Sequence, residues 1–142
     1  MATVHDVASY LLKKCGPLTV MKLQKLAYYS QAWSLVWDEK PLFNARIEAW
    51  ANGPVIPALY KVHKGLFVVR KWPDGNPDNL NQDQKDTLDG VVKFYAQKPA
   101  QWLSDLTHRE KPWLDARKGL AEGERGDNEI TPAAMDEYYS SL

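Results

Sequence analysis

The chain is predicted to be mainly α: a single compact multi-helix domain spanning 1–142, built around a central helix at about 19–37. Short extended segments are expected near 43–51 and 66–72. Three observations carry this reading. Apolar residues recur at three- and four-residue intervals through several stretches, the period of one helical face. Those stretches open on Thr or Asn and close on Gly or Pro, residues that cap and stop helices for known backbone reasons. Finally, the length of 142 residues with 11% aromatic content suffices for a core, since a domain of about 150 residues buries roughly 68–70% of its unfolded surface.

Thr3 with Asp6 suits a first helix start, the hydroxyl accepting from orphan amides and the carboxylate facing the positive end of the dipole. Val4, Val7, Ala8, Leu11 and Leu12 form its stripe, and Gly16-Pro17 stops it after Lys13 and Lys14. Thr19 caps the central helix. Leu23, Leu26, Ala27, Ser30 and Trp37 share one face, and Tyr29, Ala32 and Val36 make a second ridge, so this helix is expected to be covered on more than one side. Pro41 ends the helical run. Phe43, Ala45, Ile47 and Ala49 then alternate with Asn44, Arg46, Glu48 and Trp50, a period of two that suggests an extended segment. Asn52-Gly53-Pro54 reads as a turn. Pro57 fits the first turn of a helix carrying Leu59, Tyr60 and Val62 and ending by Gly65.

Leu66 to Trp72 is β-capable, and Pro73 to Pro77 is a loop. Asn81 with Gln84 resembles a capping box opening a helix to about Gln97, with Leu88, Val91, Val92 and Tyr95 on its face. Pro99 starts a shorter helix carrying Trp102, Leu103 and Leu106. Pro112 begins one or two further turns that Gly119 closes, 119–129 reads as a mobile connection, and Thr131-Pro132 opens a last short helix.

Lys plus Arg and Asp plus Glu are equal at 18 each, so no net field attracts polyanions, and no local basic patch stands out; nucleic acid is not expected as a partner. The one Cys, Cys15, cannot form an internal disulfide and sits at a helix C-terminus, where the dipole disfavours a thiolate. No signal peptide or membrane-length apolar run is visible, and a cytoplasmic protein is expected. His5, His63 and His108 are too far apart in sequence for a helical two-His metal pair. His108-Arg109-Glu110 matches part of a zinc-deaminase motif, but the two cysteines that motif needs are missing. Phosphate-loop, dinucleotide and nucleophile-elbow motifs are absent, so no cofactor, metal or catalytic residue is expected.

Aromatic excess remains. Interface hot spots are enriched in Trp and Tyr, and Trp50 and Trp72, beside turns, are candidates for exposure. Lys22 and Lys25, three residues apart, are either solvated or hold a carboxylate or partner. His108 is either a packed histidine or a contact. Lys22, Lys25, Tyr29, Trp50, Trp72 and His108 form the candidate partner-binding set. An acid–base reading would require His108 and Glu110 to meet Lys22, Lys25 or a tyrosine in a cleft.

The blocks Lys22-Leu23-Gln24-Lys25-Leu26 with Tyr28 and Tyr29, Ala49-Trp50 with Gly53-Pro54-Val55, Pro57 and Tyr60, Thr107-His108 with Glu110, Pro112 and Trp113, and Ile130-Thr131-Pro132 before Met135 together resemble the Panacea domain, a SocA-like antitoxin domain of bacterial and phage toxin–antitoxin pairs. The resemblance implies a protein that neutralises a toxin encoded nearby by direct binding. Small alarmone-synthetase-like enzymes acting on nucleotides or tRNA are among the toxins it implies. A SocA-like member instead delivers its toxin to an ATP-dependent protease, and an enzyme reversing the toxin's modification is a further alternative.

Overall fold

The computed structural model describes Ala2 to Leu142; Met1, included in the expected 1–142 domain, lies outside the described residues. Seven α-helices are found among the described residues: α1 (Val4–Cys15), α2 (Val20–Trp37), α3 (Pro57–His63), α4 (Gln82–Tyr95), α5 (Ala100–His108), α6 (Lys111–Ala116) and α7 (Pro132–Ser140). Four short strands accompany them: β1 (Leu18–Thr19), β2 (Glu48–Trp50), β3 (Gly53–Val55) and β4 (Val68–Val69). The mainly helical fold expected from the sequence is the one observed.

Local signals set most helix starts. Thr3 and Asp6 form a reciprocal capping box, and so do Asn81 and Gln84. Thr19 and Thr131 cap α2 and α7 through their side chains. Each device satisfies amides that have no partner inside the helix.

The central helix α2 packs against α1, α4, α5, α7 and β3. Leu23 to Ala32 are all buried, so the helix has no solvent face in its middle, as its mixed stripe implied. Four polar residues in that run need internal partners, because an unpaired buried polar group costs about 1–3 kcal/mol. Ser30 bonds back to the Leu26 carbonyl. Gln31 clamps the incoming loop, donating to the Phe43 carbonyl and accepting from the Leu42 and Phe43 amides at 2.8 and 3.3 Å. Two helical turns earlier, Gln24 does the same to Ile56, whose amide it accepts at 2.8 Å and whose carbonyl it reaches at 3.2 Å. Lys25 is the fourth.

Both expected extended segments hold a short strand, each narrower than its predicted range. Of 43–51 only β2 is strand, and it forms an antiparallel hairpin with β3. Gly53 and Pro54 therefore lie in a strand, and the chain reverses at Ala51-Asn52. The residues 66–72 contribute only β4, which pairs with β1, placing Val69 opposite Leu18. The connection at 119–129 is pinned: Asn128 and Ile130 bond along β2, and the Arg117 guanidinium reaches the Ala121 and Glu124 carbonyls. No helix among the described residues is long and apolar enough to cross a membrane.

Candidate functional site

The hairpin β2–β3 is held by side chains along its length. Arg117 Nη1 donates to the Ala49 carbonyl at 3.0 Å, Trp113 Nε1 to Trp50 at 2.8 Å, and Ser104 Oγ to Asn52 at 3.1 Å. His108 Nε2 lies 3.2 Å from the Ala51 carbonyl. From α2, Lys25 Nζ donates to Pro54 at 3.2 Å and Gln24 Nε2 to Ile56. Six carbonyls between Ala49 and Ile56 are thus met by side chains of α2, α5, α6 and Arg117. Four of these side chains, Gln24, Lys25, His108 and Trp113, come from the highlighted sequence blocks, and all six hold one hairpin.

Lys25 is 2% exposed and has no carboxylate within ion-pair distance among the described residues. Burial alone pulls its pKa down to about 8. Its path to Pro54 crosses Gly53, which has φ +122°; a Cβ there would stand 2.8 Å from Lys25 Cε. Gly53 thus supplies both a backbone conformation side chains rarely adopt and the space the lysine occupies.

Beneath the hairpin lies a buried tyrosine cluster. Glu110 Oε1 accepts from Tyr29 at 2.7 Å and from Tyr139 at 2.8 Å. With its proton committed to Glu110, Tyr139 accepts from Tyr28 at 3.0 Å. Burial raises the Glu110 pKa despite the two hydroxyls, and raises those of Tyr28, Tyr29 and Tyr139; Tyr95, stacked on Tyr29 at 4.2 Å, is pushed up to about 12. The hydroxyls therefore remain protonated donors at neutral pH.

Beside the hairpin opens a cleft of about 660 Å³, walled by Val20, Met21 and Gln24 of α2, Trp50, Asn52 and Val55 of the hairpin, Tyr60 and His63 of α3, and the 125–127 segment. Trp50 presents its ring edge-on to Tyr60 at 5.0 Å and donates its Nε1 to Glu48 at 2.8 Å. His63 is buried, its pKa lowered by desolvation, and its Nε2 lies 2.9 Å from the Gln24 amide nitrogen. Because that nitrogen is a donor, His63 Nε2 accepts and the ring is neutral.

The structure divides the expected partner-contact set. Lys22 is half-buried on the first turn of α2, Trp50 lines the cleft, and His108 is half-buried behind the hairpin, its ring 4.2 Å from Trp113. Tyr29 and Trp72 are corrected to interior positions. Lys25 is buried with its Nζ on the Pro54 carbonyl, yet it is among the residues that line the cleft. Tyr29 is fully buried on Glu110. Trp72, expected to be exposed beside its Pro-rich loop, is 8% exposed and donates to His5 Nδ1 at 3.1 Å. The arrangement required for acid–base chemistry is not assembled: Glu110 turns into the tyrosine cluster, His108 faces the Ser104 and Ala51 carbonyls, and neither lines the cleft.

The other residues of the sequence blocks lie in the core or around the hairpin and cleft. Leu23, Leu26 and Ala49 have no exposed surface and Tyr28 almost none. Pro54 and Val55 sit in β3, and Pro57 opens α3. Tyr60 walls the cleft, Thr107 Oγ1 bonds the Ser104 carbonyl at 2.7 Å, and Pro112 and Trp113 are buried in α6. Sequence reasoning missed Gln31, Ser104, Arg117 and Tyr139, and quoted Gln24 without a role. The seven-residue spacing of Gln24 and Gln31 inside an otherwise apolar helix was an available signal.

The geometry is that of a helical frame fixing a hairpin beside an open cleft. Comparison with known proteins gives the family. The chain belongs to the family described as antitoxin SocA-like, Panacea domain, whose model matches residues 23–114, from α2 into α6. It is similar to Antitoxin SocA of Caulobacter vibrioides (strain NA1000 / CB15N), with 41% identity over 59 residues, covering 39% of this chain. The matched stretch spans only 31% of that protein's length. No solved structure matches.

Proposed function

We propose that this chain is an antitoxin that neutralises a cognate toxin by direct protein–protein binding, with the cleft face as its contact surface. The observation that carries the reading is where the family match falls: 23–114 contains the whole hairpin, most of the side chains that fix it, and the Trp50 and Tyr60 walls of the cleft. A rigid hairpin presenting aromatic side chains suits binding, since little side-chain and backbone freedom remains to be lost on association. Among toxins, a small alarmone-synthetase-like enzyme acting on nucleotides or tRNA fits the family resemblance.

The test is co-expression with the product of the adjacent gene in a growth assay, with toxin abundance followed by immunoblot. Restored growth at constant toxin level, together with a co-purifying complex, supports the reading. Restored growth with falling toxin level would move the role to a proteolytic adaptor. Restored growth with no complex would move it to an enzyme that reverses the toxin's modification.

A further inference from the structure

The balanced total of charges hides a segregation. Residues 7–37 and 49–73 together hold eight Lys or Arg and no Asp or Glu. The fold brings parts of these two stretches together: β1 pairs with β4, and the Val20 amide donates to the Phe67 carbonyl at 2.9 Å. Lys61, Lys64, Arg70 and Lys71 are exposed on the later stretch and Lys22 is half-buried on the earlier one. None of these five takes part in an ion pair among the described residues.

Amid these cations stands an apolar projection. Nine large hydrophobic residues are exposed among the described residues, and four of them, Met21, Leu66, Phe67 and Val68, belong to this one junction; Phe67 is 78% exposed. The projection is not a loose loop. Besides the Val20 bond, the Leu66 amide donates to the His63 carbonyl at 2.9 Å, and Val68 is paired with Thr19. A fixed aromatic ring beside apolar side chains, with unpaired cations before and after it in the chain and on the paired stretch, suits an interface centre with a charged rim. Through Met21 it is continuous with the cleft.

We propose that this Phe67-centred basic ribbon docks the toxin through an acidic surface carrying an apolar pocket for the Phe67 ring; the proposal rests on the direct-binding reading above. Charge complementarity sets the partner's sign: five uncompensated cations repel a basic surface and steer an acidic one. The aliphatic side chains of Met21, Leu66 and Val68 favour a protein over a nucleic acid, since they offer no donor to a phosphate and no plane on which a base can stack.

The experiment measures the affinity of the purified adjacent-gene product, catalytically inactivated, for wild type, Phe67→Ser and the double variant Lys61→Glu/Lys64→Glu, with a short DNA duplex titrated in parallel. All three positions are exposed, so the variants are expected to melt with the wild type. Phe67→Ser is expected to weaken toxin binding about 30-fold, as loss of an aromatic anchor does. The double charge reversal is expected to slow association roughly tenfold and to flatten a salt dependence that the wild type shows between about 50 and 300 mM. Toxin bound equally well by all three proteins would overturn this inference and leave direct binding intact. Toxin bound by none of them would remove the direct-binding reading itself. Duplex binding by the wild type that the charge reversal abolishes, with toxin affinity unmoved, would reassign the ribbon to nucleic acid.

Discussion

Lys25→Met offers the sharpest check on the clamped hairpin. The lysine's pKa falls from the ordinary 10.5 to about 8 through burial, so at neutral pH the folded state carries a charge that costs about 3 kcal/mol to bury. Against this stands the charged hydrogen bond to the Pro54 carbonyl, of the kind that contributes about 1.5–3 kcal/mol. Methionine removes both terms at similar volume, so near pH 7 the variant is expected within about 1.5 kcal/mol of wild type.

The pH dependence separates the two proteins. An unfolded lysine holds its proton up to about 10.4, while the folded one releases it near 8; between these values the unfolded state binds more protons, so wild-type stability rises with pH. From about pH 7 to pH 9 the wild type should gain roughly 1–1.5 kcal/mol relative to Lys25→Met. Other titrating groups are common to both proteins and cancel in the difference. Urea unfolding followed by tryptophan fluorescence reads it out. A wild-type minus variant difference that stays flat across the range would mean that Lys25 is hydrated, and the account of how α2 grips β3 would fail.

Other substitutions probe the remaining contacts. Glu110→Gln keeps an oxygen acceptor for Tyr29 and Tyr139 and removes a buried charge, so its melting temperature near pH 7 should be no lower than wild type. Glu110→Ala strands two buried hydroxyls and should cost about 3 kcal/mol, read by calorimetry. Gly53→Ala should lose about 1–3 kcal/mol from backbone strain at φ +122°, and the loss should persist in a Lys25→Ala background, where the clash with the lysine is gone and only the Thr107 Oγ1 contact remains. Burial lowers the pKa of His63, so its contribution to stability is present above about 6.5 and is lost as pH falls below it. Wild type should therefore lose stability from about pH 6.5 to 5 relative to His63→Gln; equal slopes in the two proteins would refute this.

What the sequence revealed was local. The capping boxes at Thr3–Asp6 and Asn81–Gln84, the Thr131-Pro132 start and the continuous cover of α2 are set by residues a few positions apart, and each was found where the spacing placed it. What it hid was long-range. The burial of Lys25 depends on a carbonyl at Pro54 and on space at Gly53, neither visible from a lysine near a helix start. Trp72 looked exposed beside its Pro-rich loop because its partner, His5, is 67 positions away. The β1–β4 pairing joins two-residue strands too short to carry a periodic signal. Charge balance taken over the whole chain concealed the acid-free stretches that the fold sets side by side.

The central claim is adhesion to a toxin, and the most direct measurement is titration calorimetry of the purified chain against the inactivated product of the adjacent gene. The account predicts saturable one-to-one binding that Trp50→Ala and Phe67→Ser each weaken while both variants stay folded. Absence of heat and of a co-eluting complex, in a pair whose co-expression still restores growth, would contradict it.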